Sequence, residues 1–176
     1  SNSFMIASGS GRPLEDIADL DFSVPRIGEP SLDNPLQGPS FVDEADRVSY
    51  FSGTRALEAL HARETDLPSF EIAGPRRRIF HDPNWTRVGI VTCGGLCPGI
   101  NDVIKSLVTT LYFSYGVDNV YGIRYGFRGL VPTYGLAPLQ LDPDNVDTIH
   151  EGGGSVLGSS RGPQDVDAMV RTLDRL

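Results

Sequence analysis

Residues 87–93, RVGIVTC, are a short β-branched apolar run that stops at Gly94-Gly95, and this junction constrains the fold more than any other feature. Such a run reads as a buried strand, and a glycine pair directly after it permits a tight change of direction with no Cβ in the way. Asn101 and Asp102 can then cap a helix start. Beyond them Val103, Ile104, Leu107, Val108, Leu111 and Tyr115 recur at three- and four-residue steps, which predicts one apolar helix face, ended by Gly116. Residues 119–124 read as a second strand, followed by a loop through Gly126, Gly129 and Pro132 and a turn-rich stretch to Asp147. Strand, glycine loop, helix and strand make a βαβ unit, so the expected fold class is α/β, a Rossmann-like doubly wound parallel sheet. A second glycine-rich run, 152–162, precedes Pro163, which suits a helix first turn. Val166, Met169, Val170, Leu173 and Leu176 would line one face of that helix. Another strand is due next, so the sequence reads as cut in mid-domain.

Residues 1–86 read as an irregular N-terminal extension, and residues 87–176 as the first part of the α/β domain. Eight of the 13 prolines fall in the extension. Proline fixes φ and removes a backbone donor, so this stretch is neither one regular helix nor a central strand. The window 52–63 is the one plausible helix, with Ala56, Leu57, Leu60 and His61 on a face. Its apolar residues are too scattered for an independent core, and an arm packed on something else is expected.

Charge and cysteine usage remove several function classes. The net charge is −8, from 15 Lys and Arg against 23 Asp and Glu, and it disfavours non-specific nucleic-acid binding and an anionic membrane surface. An anionic small substrate stays open, because one or two placed arginines outweigh a distant average. No apolar run approaches the roughly 20 residues of a membrane helix, and no basic-then-apolar leader opens the chain. Cys93 and Cys97 cannot form a disulfide framework, so a reduced, cytoplasmic compartment is expected. Their C-x-x-x-C spacing, with no second pair and no nearby histidine, does not make a metal site, and packing is their expected role. His61, His81 and His150 are scattered without partner spacing.

Three segments can carry chemistry. Residues 92–101, TCGGLCPGIN, place glycines after a strand and before a helix, whose free N–H groups and dipole favour an anion. The run is neither a Walker loop nor a G-x-G-x-x-G fingerprint, and a bare tight turn would need the same glycines. Residues 152–162, GGGSVLGSSRG, concentrate backbone donors and hydroxyls beside Arg161, whose planar guanidinium suits phosphate oxygens. The competing reading is a flexible loop with a surface arginine. Residues 125–130, YGFRGL, offer Phe127 either as a wall for a base or as a core plug. Arg76-Arg77-Arg78 serves either as a solvated face or as an effector or subunit contact.

At these motifs the sequence resembles the phosphofructokinase family, specifically the long ATP-dependent enzymes of plants and kinetoplastids. VGIVTCGGLCPGIN (88–101) resembles that family's first nucleotide loop, and GGSVLGSSRGPQD (153–165) its arginine loop. YGIRYGFRGL resembles the second strand and turn, and FEIAGPR and FHDP the end of the extension, so the likeness covers roughly residues 68–176. The resemblance implies a nucleotide-binding domain from residue 87. It implies that Gly95 lies against the phosphoryl donor, that Arg161 holds phosphates and stabilises the moving phosphoryl, that Gly162 lines the nucleotide site, and that Phe127 stands beside the nucleotide. It further implies ATP with Mg2+, fructose 6-phosphate as acceptor, a glycolytic role with allosteric control, and a homotetramer. A pyrophosphate-dependent enzyme and an inactive phosphate-binding regulatory piece are the alternatives. The family's G-G-D-G-T and T-I-D-N-D segments, which supply a magnesium ligand and the catalytic base, are absent from the 176 residues.

Overall fold

The computed structural model describes residues 20–36, 41–62 and 67–176; Pro13, Pro39 and Arg63 lie outside them. The chain divides into two compact units, one within 1–33 and 38–80, the other within 34–37 and 81–176.

The first unit is built from β1 (Leu32–Asp33), β2 (Arg47–Ser49), α1 (Thr54–His61), β3 (Ser69–Glu71) and β4 (Arg78–Ile79). Both strand pairs are antiparallel, β1 with β4 and β2 with β3. The expected helix is present and begins at Thr54 after Gly53. Its Ala56 and Leu60, four residues apart on one face, bury against Phe51. Phe22 stands edge-on to Phe70, with ring centroids 5.1 Å apart. The basic run splits by role. Arg76 pairs with Glu44 and Glu71, and Arg78 with Asp33, while the Arg77 guanidinium lies over the Phe41 ring.

The second unit holds β5 (Val88–Val91), α2 (Ile100–Tyr115), β6 (Val120–Ile123), β7 (Leu139–Leu141) and α3 (Val166–Leu173). β5 and β6 are parallel, joined through α2, so the strand–glycine loop–helix–strand pattern forms as expected. The sheet order is β5-β6-β7, and β7 is antiparallel to β6. The sheet is therefore mixed rather than wholly parallel. β7 lies in the stretch expected to be turns; only three residues long, with Leu141 alone buried, it leaves almost no periodic signal. Ile104 and Val108 of α2 join Ile90, Val120, Leu141, Val146 and Leu157 in the core. Val103 and Leu107, expected on the same face, are 59% and 46% exposed, so the buried stripe is narrower than the periodicity suggests. Gly122 lets the core close over β6: a Cβ there would lie 3.1 Å from Leu141 Cδ1 and nearer still to Leu157. At its end α2 behaves as expected. Gly116 turns left-handed, φ 69°, with its N–H on Tyr112 O and the Val117 N–H on Leu111 O.

Both helix starts differ from expectation. α2 is entered from Gly99 in the left-handed region, and Asn101 already lies inside the helix. The Asn101 amide is engaged at long range instead. Nδ2 donates to Ile149 O (2.9 Å) and Gly152 O (3.0 Å), and Oδ1 accepts from the Val156 N–H (2.8 Å). With the side chain 5% exposed, a cap bond would leave those groups without this partner. α3 starts at Val166, not at Pro163, because Asp165 supplies a better cap: its Oδ1 accepts from the Ala168 N–H at 3.0 Å. Val166, Val170 and Leu173 are exposed along α3.

A second strap runs from α2. The Lys105 ammonium donates to the Asp147 carbonyl and to its Oδ1 (3.0 Å), and holds that carboxyl below the usual carboxylate range.

Two outcomes test this packing by urea denaturation of the chain. Leu157→Ala removes a buried plug and should destabilise by about 2–5 kcal/mol. Asn101→Ala should cost about 1–3 kcal/mol, since the Gly152 carbonyl and the Val156 N–H lose the amide while the Ile149 carbonyl keeps the Gly152 N–H. Asn101→Asp should recover only the Val156 bond. An Asn101→Ala midpoint equal to the parent's would refute the staple.

Candidate functional site

The two glycine loops, 92–99 and 152–162, are laced together, and the lacing fixes what each presents. Thr92 Oγ1 donates to Gly158 O at 2.6 Å and lies 2.8 Å from Ser155 Oγ. The Gly94 N–H donates to Ser160 O (3.1 Å), and Ser159 Oγ donates back to Gly94 O (2.7 Å). A third segment completes the joint, since the Tyr125 N–H donates to Leu157 O at 2.7 Å. Close approach is possible only because glycines meet there. A Cβ on Gly126, at φ 61°, would lie 2.7 Å from Ser160 Oγ and 3.0 Å from Cys93 Sγ; one on Gly158, at φ 69°, would enter the Tyr125 ring.

Between the loops lies a recess of about 650 Å³ whose lining includes Gly94, Gly95, Gly153, Gly154, Ser159, Ser160, Arg128 and Arg161. Among the described residues, no aspartate or glutamate lines it. Among the described residues neither Arg128 nor Arg161 pairs with an acid. In a chain of net charge −8, two permanently charged arginines therefore line one space rich in glycine and serine, with no acidic side chain beside them among the described residues. That arrangement attracts an oxygen-rich anion and repels a cation.

Of the residues singled out from the sequence, Gly95 and Arg161 come together. A Cβ on Gly95 would lie 3.1 Å from Arg161 Nη2, so the absent side chain leaves room for the guanidinium against the loop. Gly162, at φ 94°, and Phe127, 42% exposed, stand outside the recess lining. The helix starts do not contribute as expected. Residues 99–101 are not in the lining, and the donor end of α3 is already served by Asp165. Cys93 and Cys97, expected to pack inside, are exposed, because their loop runs over the surface between β5 and α2; Cys93 does back the turn at Gly126. Arg128 is the residue that sequence reasoning passed over. Its neighbour Phe127 drew the attention in YGFRGL, yet the 3-10 turn Gly126–Leu130 brings Arg128 to the recess. The signal available was a lone arginine between glycines directly after a strand.

The donor set decides what kind of group fits. Backbone N–H groups, hydroxyls and guanidiniums match phosphate oxygens. A magnesium ion wants carboxylate or carbonyl oxygens, and among the described residues no cluster of three acids, histidines or cysteines could hold a metal. The recess thus fits a phosphate and not a magnesium ion itself.

Comparison with known proteins follows the same lines. A family model described as Phosphofructokinase matches residues 87–176, just over half of the chain. An ATP-dependent 6-phosphofructokinase of Borreliella burgdorferi is 42% identical over 165 residues, covering 90% of this chain and 36% of the relative. One of Trypanosoma cruzi is 40% identical over 174 residues (93% and 35%). ATP-dependent 6-phosphofructokinase 1 of Arabidopsis thaliana is 34% identical over 177 residues (96% and 35%). The likeness thus reaches further into the N-terminal extension than its motifs alone suggest, and it includes kinetoplastid and plant proteins. The chain spans about a third of the length of these relatives. With the family model matching residues 87–176 and relatives 34–42% identical over at least 90% of this chain, the chain belongs to the phosphofructokinase family.

Proposed function

We propose that this chain is the N-terminal portion of an ATP-dependent 6-phosphofructokinase, and that its recess cradles the phosphates of the donor. The observation that carries the reading is the pair Arg128 and Arg161 lining a space rich in glycine and serine, with no acid among the described residues. The relatives' names support ATP rather than pyrophosphate as donor. In this reading the β5-β6-β7 sheet is the opening part of a Rossmann-like doubly wound sheet, and the reaction passes the γ-phosphoryl of ATP to the 1-hydroxyl of fructose 6-phosphate.

Such a transfer breaks the bond to the leaving phosphate oxygen, forms one to the sugar oxygen, and moves the hydroxyl proton to a base. Little covalent work falls to the protein; positioning and charge stabilisation dominate. Gly95 leaves the loop backbone open to the donor and makes room for Arg161. The Arg161 fork then holds phosphate oxygens as negative charge redistributes on the moving group. Gly162 and Phe127 have supporting roles beside the nucleotide. Magnesium would neutralise the polyphosphate when bound, with ligands drawn from outside residues 1–176, as is the base. Participation in glycolysis and a cytoplasmic setting follow from the same reading.

Two results are expected. The 176-residue chain by itself should show no turnover with ATP, magnesium and fructose 6-phosphate in a coupled assay, because the recess holds neither a base nor a magnesium ligand. In the full-length enzyme, Arg161→Ala should reduce kcat on the order of 10³-fold or more while changing the KM for ATP far less. Arg161→Lys should restore only part, since it keeps the charge and loses the fork. A kcat for Arg161→Ala within about threefold of the parent, with the fold intact, would overturn the assignment.

A further inference from the structure

Resting on the reading of the recess as a phosphate cradle, we propose that Arg128 is its second phosphate-binding residue, a ground-state clamp held in place by the ring of Tyr134. Arg128 and Arg161 come from different segments, yet their backbones are tied at one point. Gly126, two residues before Arg128, packs on Ser160, the residue before Arg161, so closely that a Cβ would lie 2.7 Å from the serine hydroxyl and 3.1 Å from its N–H. The Tyr125 N–H bond to Leu157 O closes the same joint from the other side. The spacing of the two arginines is therefore set by main-chain contact rather than by loop closure on a ligand, and little ordering is left for binding to supply.

The side chain of Arg128 is also guided. Its guanidinium carbon stands 5.8 Å from the centre of the Tyr134 ring, which belongs to the next 3-10 turn, Pro132–Tyr134. A ring face steers a guanidinium without consuming its N–H groups as a carboxylate would. Among the described residues no acid lines the recess to take up those donors. Two like charges brought to one space repel each other, and a polyphosphate relieves that repulsion by bridging them. The ligand class is a di- or triphosphate, and the contact requires neither a base nor a sugar. Arg128 is in this sense a binding residue, and Tyr134 a positioning residue acting through it.

The test is calorimetric titration of inorganic tripolyphosphate, without metal, into the 176-residue chain at low ionic strength. Arg128→Gln should weaken binding roughly ten- to a hundredfold, the value of one charge-assisted contact. Tyr134→Leu should weaken it about two- to fivefold, and Tyr134→Phe, which keeps the ring, should restore parental affinity. Arg171→Gln, an exposed arginine outside the recess lining, changes the net charge equally and should leave affinity within about twofold. Weakening by Arg161→Gln with no effect of Arg128→Gln would overturn this inference and leave the cradle standing. Equal effects of Arg128→Gln and Arg171→Gln would reduce it to net charge and overturn it. Absence of measurable binding to the unsubstituted chain would overturn both it and the cradle.

Discussion

One buried side chain holds together the parts on which the recess depends. Asn101 projects from the first turn of α2, and its amide serves two carbonyls and one N–H at the start of the 152–162 loop. An amide is well suited to this place, since it offers donors and an acceptor on one short stem. A carboxylate would present only acceptors, and an apolar residue would take the amide from the Gly152 carbonyl and the Val156 N–H, leaving the Ile149 carbonyl only the Gly152 N–H. With the loop start fixed to α2, Thr92 and Gly94 register against Ser155, Gly158 and Ser160, and Leu157 drops into the core over Gly122. The polar lacing and the apolar core are therefore parts of one arrangement.

The electrostatics of the unit follow from the same loops. Residues 87–176 carry more acids than bases, yet the acids sit elsewhere: Asp165 caps α3, Asp147 takes Lys105, and Asp142 is engaged with Asn145. What remains facing the recess is cationic or neutral. A chain can thus be acidic overall and still select an anion, because the field at about 4 Å from a guanidinium outweighs charges beyond a Debye length.

Much of this was legible in the residues, and the exceptions have physical reasons. β5, α2 and β6 were readable because a buried strand and an amphipathic helix leave strong periods. Gly95 and Arg161 stood out because glycines clustered after a strand, and an arginine ending a glycine-serine run, have few uses; the structure brings the two together at one recess. Asn101 was misread as a cap because asparagine is a good cap locally, and no local rule reports partners some fifty residues away. Pro163 was misread because Asp165, two positions on, competes for the helix start and wins by supplying an acceptor. Arg128 was passed over because only the 3-10 turn, and no local pattern, brings it to the recess. β7 was missed because three residues with one buried side chain give no period to detect.

The lacing also bears on how the unit assembles. The hydrogen bonds that join the recess walls connect residues 63, 65 and 66 positions apart. None of them can form until the intervening chain, with α2 and β6, has been brought home, and closing so long a loop costs entropy before any bond compensates it. Contacts of this separation raise the contact order of the unit, which slows folding. The recess has no existence in a locally folded fragment of the unit. An anion held there would report completion of the whole unit, and its binding free energy would act on global opening rather than on the fraying of one loop.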